Sequence, residues 1–214
     1  MRILITGFEP FDGDTINPSA LLVDSLATTP PPGATLIPLI LPCAFAPLHH
    51  TLQTALETHQ PAITISFGLA GNRQGISLER VALNIIDARI PDNEGNAPID
   101  EPVLPNAPAA YFTTLPIKAA MAALHAAGID AHISQTAGTY VCNATAFTTM
   151  HLATTRYPTM RAGFIHIPYL PTMPAAQAGA PALDLTTLHR AASLIIKTCL
   201  ECNTDRRITG GAVS

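Results

Sequence analysis

Short, nearly unbroken apolar runs alternate with longer Ala- and Leu-rich stretches along almost the whole chain, and this alternation limits the fold more than any other feature. The runs lie at residues 2–6, 35–41, 62–67, 130–134 and 162–167. Strands of this kind are buried on both faces, as in a parallel sheet, because a strand with one wet face would alternate apolar and polar residues. Between them, residues 18–27, 46–58, 117–127, 143–155 and 185–202 have the length and composition of helices. Asn17-Pro18 predicts an N-cap followed by proline in the first turn. Gly128 suits the C-terminal cap of the third helix. Strand–helix alternation predicts an α/β domain with a mostly parallel, twisted sheet and helices on both faces. At 214 residues the chain fits one such domain, residues 1–214, rather than two.

The rhythm breaks in a few places. Residues 76–90 are long enough for an extended strand or a hairpin. Residues 91–108 are rich in Pro, Asn, Asp and Gly and show no periodicity. Unstructured loops that long within a compact domain are functional lids or disordered. Residues 28–33 form a proline-rich connection, and residues 205–214 read as a frayed polar tail.

Charge and composition narrow the function. Eleven Lys and Arg against fifteen Asp and Glu give a net charge of −4. That balance offers no footprint for nucleic acid or anionic lipid. Apolar residues make up 48% of the chain, yet no run approaches the roughly 18 residues of a membrane span. Only 12% of residues are charged, against about 25% in an average soluble chain, so the surface favours partial covering in a homo-oligomer. The apolar run that begins at Ile3 is too short for a secretory signal. Four cysteines (Cys43, Cys142, Cys199 and Cys202) are too few and too scattered for a disulfide framework. The expectation is a cytoplasmic protein with reduced thiols.

Several chemistries drop out by spacing. The glycine-rich stretch 68–75 has neither of the phosphate-cradling spacings. Residues 92–95 do not place oxygens as a calcium loop does. No HExxH occurs and the eight histidines show no ligand spacing, so no metal is expected. Cys199 and Cys202 form a CxxC on the last helix without a second pair, which reads as structural, with redox chemistry as the alternative. Cys43, at the end of an apolar run, reads as a small core residue.

Cys142 stands apart. It follows a strand and a turn and opens a helix, where unpaired N–H groups and the positive end of the dipole favour a thiolate and supply an oxyanion hole. The bland alternative is a buried structural cysteine. A cysteine nucleophile needs a base, and His166 ends the following strand; in a doubly wound sheet the C-terminal strand ends line the crevice, so both groups are expected on that edge. The alternative for His166 is a hydrogen-bonded core histidine. Glu79 is a carboxylate in an otherwise apolar stretch and suits a group that orients the imidazole; its alternative is an ion pair with Arg80 or another cation.

At these segments the chain resembles the pyroglutamyl-peptidase I family of cysteine peptidases. Gly68-Leu69-Ala70-Gly71, leading to residues 76–84, is similar to the family's glutamate signature. Residues 133–143, which include Tyr140-Val141-Cys142-Asn143, are similar to its cysteine signature. Residues 163–169 match its histidine segment, and residues 6–11, 17–19 and 87–95 agree as well. The resemblance implies a three-layer α/β/α sandwich, a Cys142–His166–Glu79 triad, no cofactor, assembly as a homotetramer, and removal of pyroglutamate from the N-terminus of peptides. It implies that Phe8 and Phe11 flank the lactam ring, helped by Ile90, Tyr140 and Val141, with Asn17, Leu69 and Arg89 also at the substrate site. Outside that context, Phe8 and Phe11 read as ordinary core packing. The chain departs from the family pattern in Leu69 where a Gln is usual, in Tyr140 where a Phe is usual, and in Cys43 where a small hydroxyl residue is frequent. The alternatives are an α/β enzyme of the nucleoside phosphorylase kind and a pyroglutamyl-peptide binding protein that has lost catalysis.

Overall fold

A computed structural model describes residues 1–212. In chain order its elements are β1 (Arg2–Phe8), α1 (Pro18–Thr28), β2 (Thr35–Leu41), α2 (Leu48–His59), β3 (Ile63–Leu69), β4 (Ile76–Glu79), β5 (Val81–Leu83), β6 (Ala110–Phe112), α3 (Ile117–Ala126), β7 (Ala131–Ser134), α4 (Val141–Thr155), β8 (Arg161–Ile167), α5 (Pro174–Gln177) and α6 (Leu185–Glu201). Asn17 caps α1 by accepting from Ser19 N, and Gly128 follows α3 at φ 72, as their residue types predict.

Six strands form one sheet in the order β2-β1-β3-β8-β4-β7. Every pairing is parallel except β4 with β8. Successive side chains of a strand face opposite sides, and the core divides accordingly. Ile3, Ile5, Ile63, Ile65, Phe67 and Ile165 pack with residues of α1, α3 and α6. Leu4, Phe8, Ala162 and Phe164 pack with residues of α2 and α4. The result is an α/β/α sandwich in which both faces of the central strands are dry, which is why their sequences read as continuous apolar runs. No helix among the described residues is long and apolar enough to cross a membrane.

Three expectations change. Residues 76–90 form no hairpin of their own: β4 joins the main sheet, and β5 pairs with β6 in a separate two-stranded ribbon. The loop 91–108 is held rather than loose. Asp92 accepts backbone N–H bonds from Phe45, Glu94 and Asn96, and Asn84 donates to Leu104 O and Ala107 O. The tail is docked as far as residue 210. Asp205 accepts from Lys118 N and Ala119 N, supplying the side-chain cap that Pro116 does not give α3, and Gly210 O accepts from Arg80.

Candidate active site

The parallel ladder between β3 and β8 sets Gly68 beside His166. A Cβ added at Gly68 would lie 2.9 Å from Cys142 Sγ and 2.7 Å from Phe164 Cζ. The missing side chain is therefore what lets the Cys142 thiol settle on the sheet next to the histidine. Cys142 is the second residue of α4, whose N-cap Tyr140 makes no side-chain cap bond. The first-turn N–H groups have no intrahelical partner and point outward at that end.

The rest of α4 is anchored beneath the thiol. Asn143, fully buried, accepts from Leu83 N and donates to Leu83 O and Ile85 O, tying the helix start to β5. Thr145 and Thr149 satisfy their buried hydroxyls on the carbonyls of Val141 and Thr145, one turn back.

The antiparallel pairing of β4 with β8 puts Ser77 opposite His166, so Glu79, two residues on, shares that face. Glu79 Oε1 accepts from His166 Nδ1 at 2.7 Å. A carboxylate oxygen only accepts, so the ring proton stands on Nδ1 and Nε2 keeps its lone pair. Burial pushes the His166 pKa below its usual 6.5; the Glu79 carboxylate opposes that shift and the Arg73 guanidinium adds to it. Burial pushes the Cys142 thiol upward, Cys43 and Glu79 add to the shift, and Arg73 opposes it. A helix N-terminus favours a thiolate, but burial acts on Cys142 in the opposite direction. Burial thus favours the uncharged forms of both the Cys142 thiol and the His166 ring. Among the described residues, no hydrogen bond joins Cys142 to the His166 ring; the ring's bond runs to Glu79.

The edge geometry differs from expectation as well. Because β4 and β7 run against β8, the end of β7 does not share an edge with the end of β8. The turn at residues 135–140 carries the chain back to set Cys142 above Gly68.

The cation beside Glu79 is Arg73, not Arg80. Arg73 Nη1 donates to Glu79 Oε1 at 2.6 Å and to Ser134 Oγ at 3.0 Å, and Nη2 donates to Thr136 O at 2.8 Å. This contact spans a loop and two strands, and only the cluster of glycines around Arg73 hinted at a tight turn there.

A cleft of about 580 Å³ is lined by Phe11, Asp87, Arg89, Ile90, Thr139 and Tyr140, the last being the N-cap of the helix that carries Cys142. Four of the expected substrate residues thus share one cleft, and Asp87 and Thr139 join them. Asp87 N donates to Thr139 O and Thr139 Oγ1 to Asp87 O, which locks the two walls together. The Tyr140 hydroxyl finds its partner in Pro91 O at 2.9 Å. Cys43 sits against Tyr140, and burial pushes its thiol up to about 12, with the Tyr140 hydrogen bond opposing the shift.

The other expected residues do not line this cleft. Phe8 is buried against Phe164, with ring centroids 6.2 Å apart, and Val141 is buried in the same cluster. Asn17 donates to Glu9 O while capping α1, so it shapes the β1–α1 turn. The Leu69 side chain packs against the core on the α1, α3 and α6 side, away from the thiol. Among the described residues, no group of three or more His, Cys, Asp or Glu could hold a metal ion.

Residues 1–202 match the family model described as pyroglutamyl peptidase. A pyrrolidone-carboxylate peptidase of Yersinia pestis (strain Pestoides F) is 46% identical over 212 residues, covering 99% of both chains. One from Escherichia fergusonii is 46% identical over 210 residues, covering 98% of each. The crystal structure of pyroglutamyl peptidase I from Bacillus amyloliquefaciens superposes with a TM-score of 0.93 at 40% identity, over 97% of this chain and 99% of that one. A mutant pyrrolidone carboxyl peptidase from Pyrococcus furiosus superposes at 0.90 with 42% identity, over 95% and 100%.

Proposed function

The chain belongs to the pyroglutamyl peptidase family of cysteine peptidases, which remove N-terminal pyroglutamate, and from that premise we propose that Cys142, His166 and Glu79 carry the reaction. The observation that carries this reading is the placement of the Cys142 sulfur on Gly68, beside a histidine whose far nitrogen is held by a buried carboxylate.

Burial favours the protonated thiol, so attack and deprotonation go together. His166 Nε2 takes the Sγ proton as sulfur adds to the pyroglutamyl carbonyl carbon. The oxygen of that carbonyl becomes an oxyanion near the first-turn N–H groups of α4. Collapse breaks the C–N bond, and the proton on Nε2 passes to the leaving amine. Water then adds to the thioester with His166 as base, and pyroglutamate leaves as the thiol is re-formed. Glu79 keeps the Nδ1–H tautomer throughout, so Nε2 always faces the reacting atoms.

A pyroglutamyl group is a neutral lactam without a terminal ammonium, so its site needs apolar walls and a few polar edges rather than a carboxylate. Phe11, Ile90 and Tyr140 supply such walls. Since the Leu69 side chain packs on the other side of the sheet, recognition near residues 69–71 runs through the backbone. The expected assembly is a homotetramer. The low charge supports it, as do Ile99 and Phe112, which are 69% and 70% exposed. A cytoplasmic setting accords with four free thiols.

The test is incubation with a pyroglutamyl-coumarin amide, with and without a thiol alkylator. Release of coumarin that the alkylator abolishes is expected; no release, or release indifferent to the alkylator, contradicts the reading.

A further inference from the structure

Glu79 is fully buried, yet its two oxygens are treated unequally. Oε1 takes both the His166 ring and the Arg73 guanidinium, at 2.7 and 2.6 Å, while Oε2 has no partner among the described residues. A buried carboxylate with one neutral donor and no counter-charge is costly enough that a proton would move onto it or onto its neighbour. Here the counter-charge is Arg73, and its position is built in. Ala70 N donates to Ile167 O and Arg73 N to Ala70 O. The ring of Tyr169 leaves no room for a side chain at Gly71, and Gly75 turns at φ 63 against the backbone of Asp130. These contacts fold residues 70–75 over the end of the sheet. Ser134 Oγ and Thr136 O then hold the guanidinium from β7 and from the turn that leads to the nucleophile.

We infer that Arg73 is a positioning residue of the triad: it neutralises the buried Glu79 carboxylate and fixes which of its oxygens faces the imidazole, so that His166 presents Nε2 to the thiol. This rests on the peptidase reading above and adds a fourth member to its machinery.

The groups that face the imidazole are few. Glu79 comes from β4, Cys142 from α4 and Arg73 from the loop after β3, while the Phe164 ring of β8 lies 4.8 Å away, centroid to centroid. Ser77, across the ladder, is engaged with His132 Nε2 at 3.0 Å. Cys43 reaches the pair through Cys142. Arg73 is the one cation in this set apart from the histidines. Its removal makes the site one charge more negative, which raises both proton-loss steps of the coupled thiol–imidazole pair, whichever atom holds the proton.

The experiment compares wild type, Arg73→Met and Arg73→Lys by the pH profile of kcat/KM on a pyroglutamyl-coumarin amide and by the pH profile of Cys142 alkylation with iodoacetamide. Arg73→Met is expected to move both limbs up by about one pH unit, so that its loss near the acid limb is about tenfold greater than at its optimum. Arg73→Lys keeps the charge, so its limbs stay put while kcat falls, since an ammonium cannot span the fork to Ser134 and Thr136. An equal loss at every pH with unmoved limbs, or a downward shift, overturns the inference and leaves Arg73 a plain brace. If Arg73→Met does not fold, Arg73→Gln takes its place in both profiles, with the same upward shift expected and unmoved limbs overturning the inference. Wild-type protein that is alkylated normally yet never turns over substrate would sink the peptidase reading instead.

Discussion

Gly68→Ala is a single-methyl test of where the nucleophile rests. The added carbon would stand 2.9 Å from Cys142 Sγ, 2.7 Å from Phe164 Cζ and 3.0 Å from Phe164 Cε1. Comfortable carbon contacts begin at about 3.5 Å, so the overlap is about 0.5–0.8 Å. Phe164 is fully buried between the rings of Phe8 and His166 and cannot retreat. The thiol can, by rotating away from the sheet and from His166. Overpacking of this kind costs about 1–3 kcal/mol. At this chain length that lowers Tm by about 2–12 °C. A reacting atom displaced by about 1 Å costs on the order of 10²-fold in kcat. KM on a pyroglutamyl-coumarin amide should change little, because Phe11, Arg89, Ile90 and Tyr140 are untouched. Steady-state kinetics and calorimetry on the same preparation decide. A lowered Tm with parent kcat would place the strain on Phe164 alone and move Cys142 away from Gly68. Parent values of both would refute the packing argument.

His166→Ala and Glu79→Gln should both lose activity, the histidine variant more, since a group that only orients a base costs less than the base itself; parent rates for Glu79→Gln at every pH would return that residue to a structural ion pair. Burial tends to raise the Asp92 carboxyl, but backbone N–H groups of Phe45, Asn96 and Glu94 hold it below its usual 3.8. Its contribution to stability is therefore present above 3.8 and disappears as pH falls through the lower folded value. Asp92→Asn, which turns an amide donor toward one of those N–H groups, should cost about 1–3 kcal/mol near neutral pH. Urea midpoints should show that gap closing in acid; a gap that persists unchanged there contradicts the assignment. Pyroglutamyl and prolyl coumarin amides should differ in kcat/KM by roughly 10⁴ or more, because the prolyl ring lacks the lactam carbonyl and brings a charge. Leu69→Gln should barely alter that ratio, and a wild-type ratio below about tenfold would mean the lactam is not what the cleft reads.

The layers of the fold were legible because the central strands are dry on both sides, which writes them as unbroken apolar runs. Strand direction was not. Between β4 and β7 the chain passes through the 84–109 loop, and nothing in that composition says that β4 runs against β8. The three-residue strands β5 and β6 are too short for any period to register. The three residues proposed as the triad were legible as residue types at strand and helix ends, and four residues that line one cleft came with their motifs. Arg73 was not: Glu79 is only six residues on, but the Ser134 and Thr136 groups that hold the guanidinium there lie about 60 residues away and meet it only in the fold. The opposing effects on the thiol were only half legible for a related reason: a helix N-terminus is visible in sequence, whereas the burial that acts against it is not.

The most direct test of the central claim is rapid-quench mass spectrometry of the wild-type protein mixed with a pyroglutamyl-coumarin amide, followed by peptide mapping. The account predicts one transient pyroglutamyl unit per chain, attached as a thioester to Cys142, and no adduct or turnover in Cys142→Ala. An adduct on another residue, or undiminished turnover in Cys142→Ala, would contradict it.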